Sequence, residues 1–124
     1  MAQSDCCPET PALTARPLLD ESDALSIAGL FKILANDTRL RILHSLALDP
    51  HLTVSKIAAQ LNLKIPAVSN QLQRLVAQNI VVAKWHGNFV HYEIIDACTT
   101  LLLERAWCLA EDTGRIPAKD EASA

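Results

Sequence analysis

Two short helix-period stretches, 53–61 and 65–78, stand three residues apart and run into two β-branched and aromatic stretches, 80–85 and 89–95. Few folds accept that order. In Thr53-Val54-Ser55-Lys56-Ile57-Ala58-Ala59-Gln60-Leu61 the helical pattern stops at Asn62, and residues 62–64 leave room for a tight turn only. The next helix carries Pro66 in its first turn, where a missing N–H costs nothing, and has Val68, Leu72, Leu75 and Val76 as its buried face. At about 100° per residue its opposite side collects Asn70, Arg74 and Ala77, with Pro66 and Gln73 beside them. That outer face is polar, small and nearly free of acid. His86-Gly87-Asn88 separates the two apolar runs that follow, so they read as a hairpin.

Helical patterns flank this unit. From Asp20 to Leu34, the residues Leu25, Ala28, Phe31, Ile33 and Leu34 recur at helical spacing, with Ser22 or Asp23 as the expected N-cap. Asn36, Asp37 and Thr38 offer cap chemistry before Leu40, Leu43, Leu46 and Leu48, a second helix ending near Asp49-Pro50. Asp96 caps a last helix expected to reach about Leu109. Residues 1–19 hold Pro8, Pro11 and Pro17 without sustained periodicity and read as a flexible arm. The expected organisation is an arm at 1–19, one domain at 20–112 and a flexible tail at 113–124.

Composition narrows the class of protein. Half of the 124 residues are hydrophobic, enough to bury a core and to exclude disorder along the whole length. No apolar run approaches the roughly 18 residues of a membrane span, and the start of the chain is acidic, which argues against a membrane or secreted protein. Four cysteines fall far below the density of a disulfide scaffold, so a reducing cytoplasm is expected. Three glycines form no phosphate loop, and neither a His-Glu-x-x-His helix nor a supported Ser/His/Asp order occurs, so no enzyme is expected. Charge is segregated. Residues 1–31 carry five acids and one base, residues 32–92 seven bases and two acids, and residues 93–124 seven acids and three bases. The cationic middle also holds all four histidines, and such a module is either a nucleic-acid footprint or an evenly solvated face.

Taken together, the elements describe a mainly α fold with a two-stranded β-wing, a winged helix-turn-helix whose second helix enters a major groove. Asn and Gln pair bidentately with adenine and Arg with guanine, so Asn70, Gln73 and Arg74 suit base reading. Lys64 at the helix start, with Lys84, His86 and Asn88 on the wing, suits phosphate or minor-groove contact.

Three stretches resemble the ArsR/SmtB family of metal-sensing repressors. Leu34-Ala35-Asn36-Asp37-Thr38-Arg39-Leu40-Arg41-Ile42-Leu43 is similar to that family's LADPTRLRIL signature. Pro66-Ala67-Val68-Ser69-Asn70-Gln71-Leu72-Gln73-Arg74-Leu75 resembles its recognition segment SAVSHQLxxL, which adds Ser69 to the DNA-facing set, with Asn70 where His is common. Gly87-Asn88-Phe89-Val90-His91-Tyr92 is similar to its wing, GRxVYY, and the likeness spans roughly residues 24–110. The resemblance implies five helices and a wing, a homodimer joined through the first and last helices, and repression of double-stranded operator DNA relieved by an inducer. Many members carry Cys-Val-Cys on the third helix, whereas Thr53-Val54-Ser55 has no thiol, so that site is absent.

Thiolates select soft ions, here As(III), Cd(II), Pb(II), Zn(II) or Hg(II), which directs attention to the cysteines. The family's alternative site uses an Asp-x-His pair opening the last helix and groups about ten residues on in the other subunit. Asp96-Ala97-Cys98 matches that opening, with Cys98 in the His position and Cys108 one residue off the second. Cys98 and Cys108 lie about 15 Å apart along one helix, too far to share an ion within a chain. Cys98, Leu101, Arg105, Cys108 and Asp112 form one seam, so an antiparallel pairing of two such helices sets Cys98 beside the partner's thiol at the other end. Each thiol is otherwise a small apolar filler. Cys6 and Cys7, consecutive in the arm, either close on one soft ion, fold back to add ligands, or do neither. His44, His51 and His91 read as surface or core polar groups. The expected function is a cytoplasmic repressor released from an imperfect inverted-repeat operator by a thiophilic ion. The alternatives are a thiol-redox-responsive winged-helix repressor and a winged-helix protein-interaction module.

Overall fold

A computed structural model describes residues 10–118; Cys6, Cys7 and the end of the tail lie outside them. After a 3-10 turn at Leu13–Ala15 come α1 (Glu21–Leu34), α2 (Asp37–Leu48), α3 (Val54–Leu61), α4 (Ile65–Ala77), β1 (Val81–His86), β2 (Phe89–Ile94) and α5 (Ala97–Asp112). The five helices and two-stranded wing are those the sequence predicts, with shifts of one to three residues at their ends.

Those shifts follow from caps. The α1 cap is Asp20, earlier than Ser22 or Asp23, because its carboxylate accepts from Asp23 N at 2.8 Å. Asn36 caps α2 by accepting from Arg39 N at 3.0 Å. Thr53 is the cap of α3 rather than its first residue, accepting from Lys56 N at 3.3 Å. Asn62, at φ 58°, takes the left-handed conformation that ends α3, and Leu63 N–H returns to Ala58 O at 2.9 Å. This closes the turn of the helix-turn-helix. α5 runs on to Asp112, three residues past the expected Leu109, since nothing breaks it before Gly114 at φ +80°. Beyond it, Arg115 N–H and Ile116 N–H both donate to Ala110 O.

The core lies under the helix-turn-helix and the foot of the wing. Ile42, Leu43 and Leu46 of α2, Ile57 of α3 and Val68, Leu72 and Leu75 of α4 are buried together with Val81 at the foot of the wing. The strands pair antiparallel from Val81↔Ile94 to His86↔Phe89, leaving Gly87-Asn88 as a two-residue turn with Gly87 at φ +63°. Tyr92 N–H donates to Leu52 O at 3.0 Å and fastens the wing to the segment before α3. α1 and α5 differ from the rest. α1 buries only Leu34 and α5 only Thr99. Of the stripe that predicts this helix, Ile33 and Leu34 reach the core, whereas Leu25 and Phe31 are 68% and 51% exposed, so the part nearer its start lies largely open among the described residues.

Candidate nucleic-acid interface and metal site

α4 presents its outer face as its periodicity requires. Val68, Leu72 and Leu75 are buried, while Pro66, Asn70, Gln73 and Arg74 are exposed and Ser69 is half-buried on the flank. Lys64 is the N-cap residue of α4 and is exposed, with no side-chain cap bond to restrain it. The first turn of α4 holds no acid, so its orphan N–H groups and positive dipole end face the solvent beside a lysine. That combination favours phosphate.

The wing brings together more than its predicted residues. His86 and Asn88 are exposed at its tip, but Lys84 Nζ lies 3.1 Å from Glu93 Oε1. Glu93 Oε2 is 3.4 Å from His51 Nδ1. His86 stacks on His91 with ring centroids 4.6 Å apart, and His51 stands 5.9 Å from His91. The register places Lys84, His86, His91 and Glu93 on one wing face, a grouping that only the strand pairing reveals. His91 Nδ1 is buried without a hydrogen bond. His44 meets Trp107 edge-on at 5.5 Å.

The cysteine residues divide. Asp96 caps α5, its Oδ1 accepting from Cys98 N at 2.8 Å. Cys98 is disulfide-bonded, although the low cysteine count argues against a disulfide framework. One bridge leaves no trace in composition. Cys108 is free and exposed, with its thiol 3.8 Å from Asp112 Oδ2. Cys6 and Cys7 lie outside the described residues. Within the described residues of one chain, no three of His, Cys, Asp and Glu come together as a metal-binding group. No helix among them is long and apolar enough to cross a membrane. The residues that sequence reasoning missed are Arg39, Gln71, His51 and Glu93, whose contacts join segments distant in the chain.

A helix-turn-helix with an acid-free outer face, flanked by a two-stranded wing, defines a winged-helix DNA-binding module. The profile described as "Bacterial regulatory protein, arsR family" matches residues 36–82. The cadmium resistance transcriptional regulatory protein CadC of Listeria innocua is 32% identical over 89 residues, 72% of this chain and 75% of that one. The crystal structure of the antimony-specific transcriptional repressor AntR is similar with a TM-score of 0.73 and 44% identity, covering 89% of this chain and 99% of AntR. The homodimeric winged helix-turn-helix DNA-binding domain from Mycobacterium bovis follows at a TM-score of 0.65 and 28% identity, covering 78% of this chain and 91% of that one. The chain belongs to the arsR family of bacterial regulatory proteins, which are DNA-binding transcriptional regulators and not enzymes.

Proposed function

We propose that the protein is a homodimeric repressor of an imperfect inverted-repeat operator, released when a thiophilic metal or metalloid ion binds its cysteines. The observation that carries the inducer reading is the start of α5, where Asp96 caps the helix and Cys98 stands in its first turn, so that the helix dipole stabilises a thiolate suited to a soft ion. Cys98, Cys108 and Asp96, with Cys6 and Cys7 as further donors, are the proposed ligand set. The relatives named for cadmium resistance and antimony specificity support a metal or metalloid inducer. Asn70, Gln73 and Arg74 read bases, Pro66 and Ser69 contact the duplex beside them, and Lys64, Lys84, His86 and Asn88 engage backbone or minor groove.

The disulfide at Cys98 favours a second reading, in which oxidation of Cys98 is itself the signal. One experiment separates them: anaerobic titration of the reduced full chain with As(III), Cd(II), Pb(II), Zn(II) and Hg(II), followed by release of a duplex selected from a random-sequence pool. A metal-driven repressor loses about 5- to 150-fold in DNA affinity without any oxidant, the range of a typical allosteric coupling. Cys98→Ser and Cys108→Ser each keep DNA binding and lose the response, while Cys6→Ser with Cys7→Ser has a smaller effect. Release by oxidant alone assigns the redox reading. A metal response lost only in the tail double variant moves the site to the arm.

A further inference from the structure

At the start of α2 the half-buried Arg39 guanidinium reaches two other helices at once. Its Nε–H donates to Gln71 Oε1 of α4 at 2.7 Å. Its Nη1 donates to the Ile33 carbonyl, in the last turn of α1, at 2.8 Å. The Arg39 main-chain N–H meanwhile donates to Asn36 Oδ1, the cap of its own helix, at 3.0 Å. A guanidinium is planar and carries its donors in a fixed fork. Three helices therefore meet on one rigid group.

What those helices carry gives the contact its meaning. Gln71 is half-buried, whereas its neighbour Asn70, about 100° further round the helix, is exposed. The buried Val68, Leu72 and Leu75 set the rotation of α4 about its axis, and the bond from Arg39 to Gln71 pins its flank, next to the face that carries Asn70, Gln73 and Arg74. On the other side of the guanidinium stands α1, which buries only Leu34 in its own chain and bears the open apolar stripe. We propose that Arg39 is a positioning residue that joins α1 to the recognition helix through Gln71, so that α4 reads sequence only while this fork is closed. The inference rests on the reading of α4 as the base-reading element and adds what orients it.

The probe is a duplex selected from a random-sequence pool by the unaltered full chain, with a scrambled duplex of equal length as control. Gln71→Leu keeps the side-chain volume and removes the acceptor. Its affinity for the selected duplex is expected to fall about ten-fold, the order of one hydrogen bond to a charged group, with affinity for the scrambled duplex unchanged. Gln71→Glu keeps the acceptor and is expected to retain selectivity. Arg39→Lys keeps the charge without the fork and is expected to lose as much as Gln71→Leu, with no further loss when the two are combined. If circular dichroism shows that Gln71→Leu fails to fold, Arg39→Lys carries the same comparison. Equal binding of the selected duplex by variant and unaltered chain overturns the inference, as does an equal loss on both duplexes. A pool that yields no preferred sequence overturns the reading of α4 and this inference with it.

Discussion

Lys84 illustrates how a residue's chemistry depends on what stands beside it. Its ammonium is 3.1 Å from Glu93 Oε1, so one of the few positive charges on the wing is shared with a carboxylate instead of being offered whole to a phosphate. At this half-exposed site the pair adds little stability. It matters more for charge. Glu93→Gln should release Lys84, raise affinity for random duplex, and steepen the log–log dependence of DNA affinity on salt by about one unit, the contribution of one more phosphate contact. Fluorescence anisotropy across a salt series measures that slope, and an unchanged slope removes Lys84 from the DNA-contacting set. The pairing was not legible in the sequence. Glu93 sits diagonal to Lys84 across the strands, opposite Val82, and only the register discloses it. Arg39 eluded sequence reasoning for the same reason, since Gln71 lies 32 positions away.

Elements were legible where their signals are local. Asn36 and Thr53 cap helices through bonds to residues three positions on, and Asn62 ends α3 by its own backbone conformation. Each depends on a few adjacent residues, so α2, α3, α4 and the wing could be placed closely. α1 and α5 were equally legible as helices, but their cover was not, because Leu25, Phe31 and Leu109 remain exposed in a single chain. The disulfide at Cys98 is also beyond local pattern, since the pairing of a cysteine leaves no signal in the residues beside it. The wing offers a test at this scale. Gly87 has φ +63° at the first central position of the hairpin turn, where an L side chain is strained by roughly 1–2 kcal/mol. A β-carbon there meets nothing within 4 Å, so backbone strain is the whole effect. Gly87→Ala should lower stability to urea by about 1 kcal/mol, with nuclear magnetic resonance shifts confined to 84–91. An unchanged urea midpoint would show that the turn relaxes.

Across the whole molecule, charge and apolar surface occupy different parts. The middle of the chain, residues 32–92, is basic, whereas residues 1–31 and 93–124, which contain α1 and α5, are acidic. A molecule so polarised is steered with the basic α4 and wing toward DNA and with the acidic α1 and α5 away from it. On those two helices Leu25 is 68% exposed, Phe31 51% and Leu109 62%, apolar surface suited to a second copy of the chain. Twofold pairing through these helices is expected to set two α4 helices to span half-sites about 34 Å apart or a multiple of that distance. Phe31→Asp places a charge on α1 without touching the core, because Phe31 is not among the residues packed against it. The variant should keep its circular dichroism spectrum and sediment at the mass of one chain, where the unaltered protein sediments at two. Its affinity for a two-half-site duplex should drop toward that for one half-site, since the second helix no longer arrives with the first. Phe89→Asp is the control, an equally bare aromatic at 65% exposure on the wing, and it should leave the mass unchanged. If Phe31→Asp still sediments as two chains, the face formed by α1 and α5 is not what joins them.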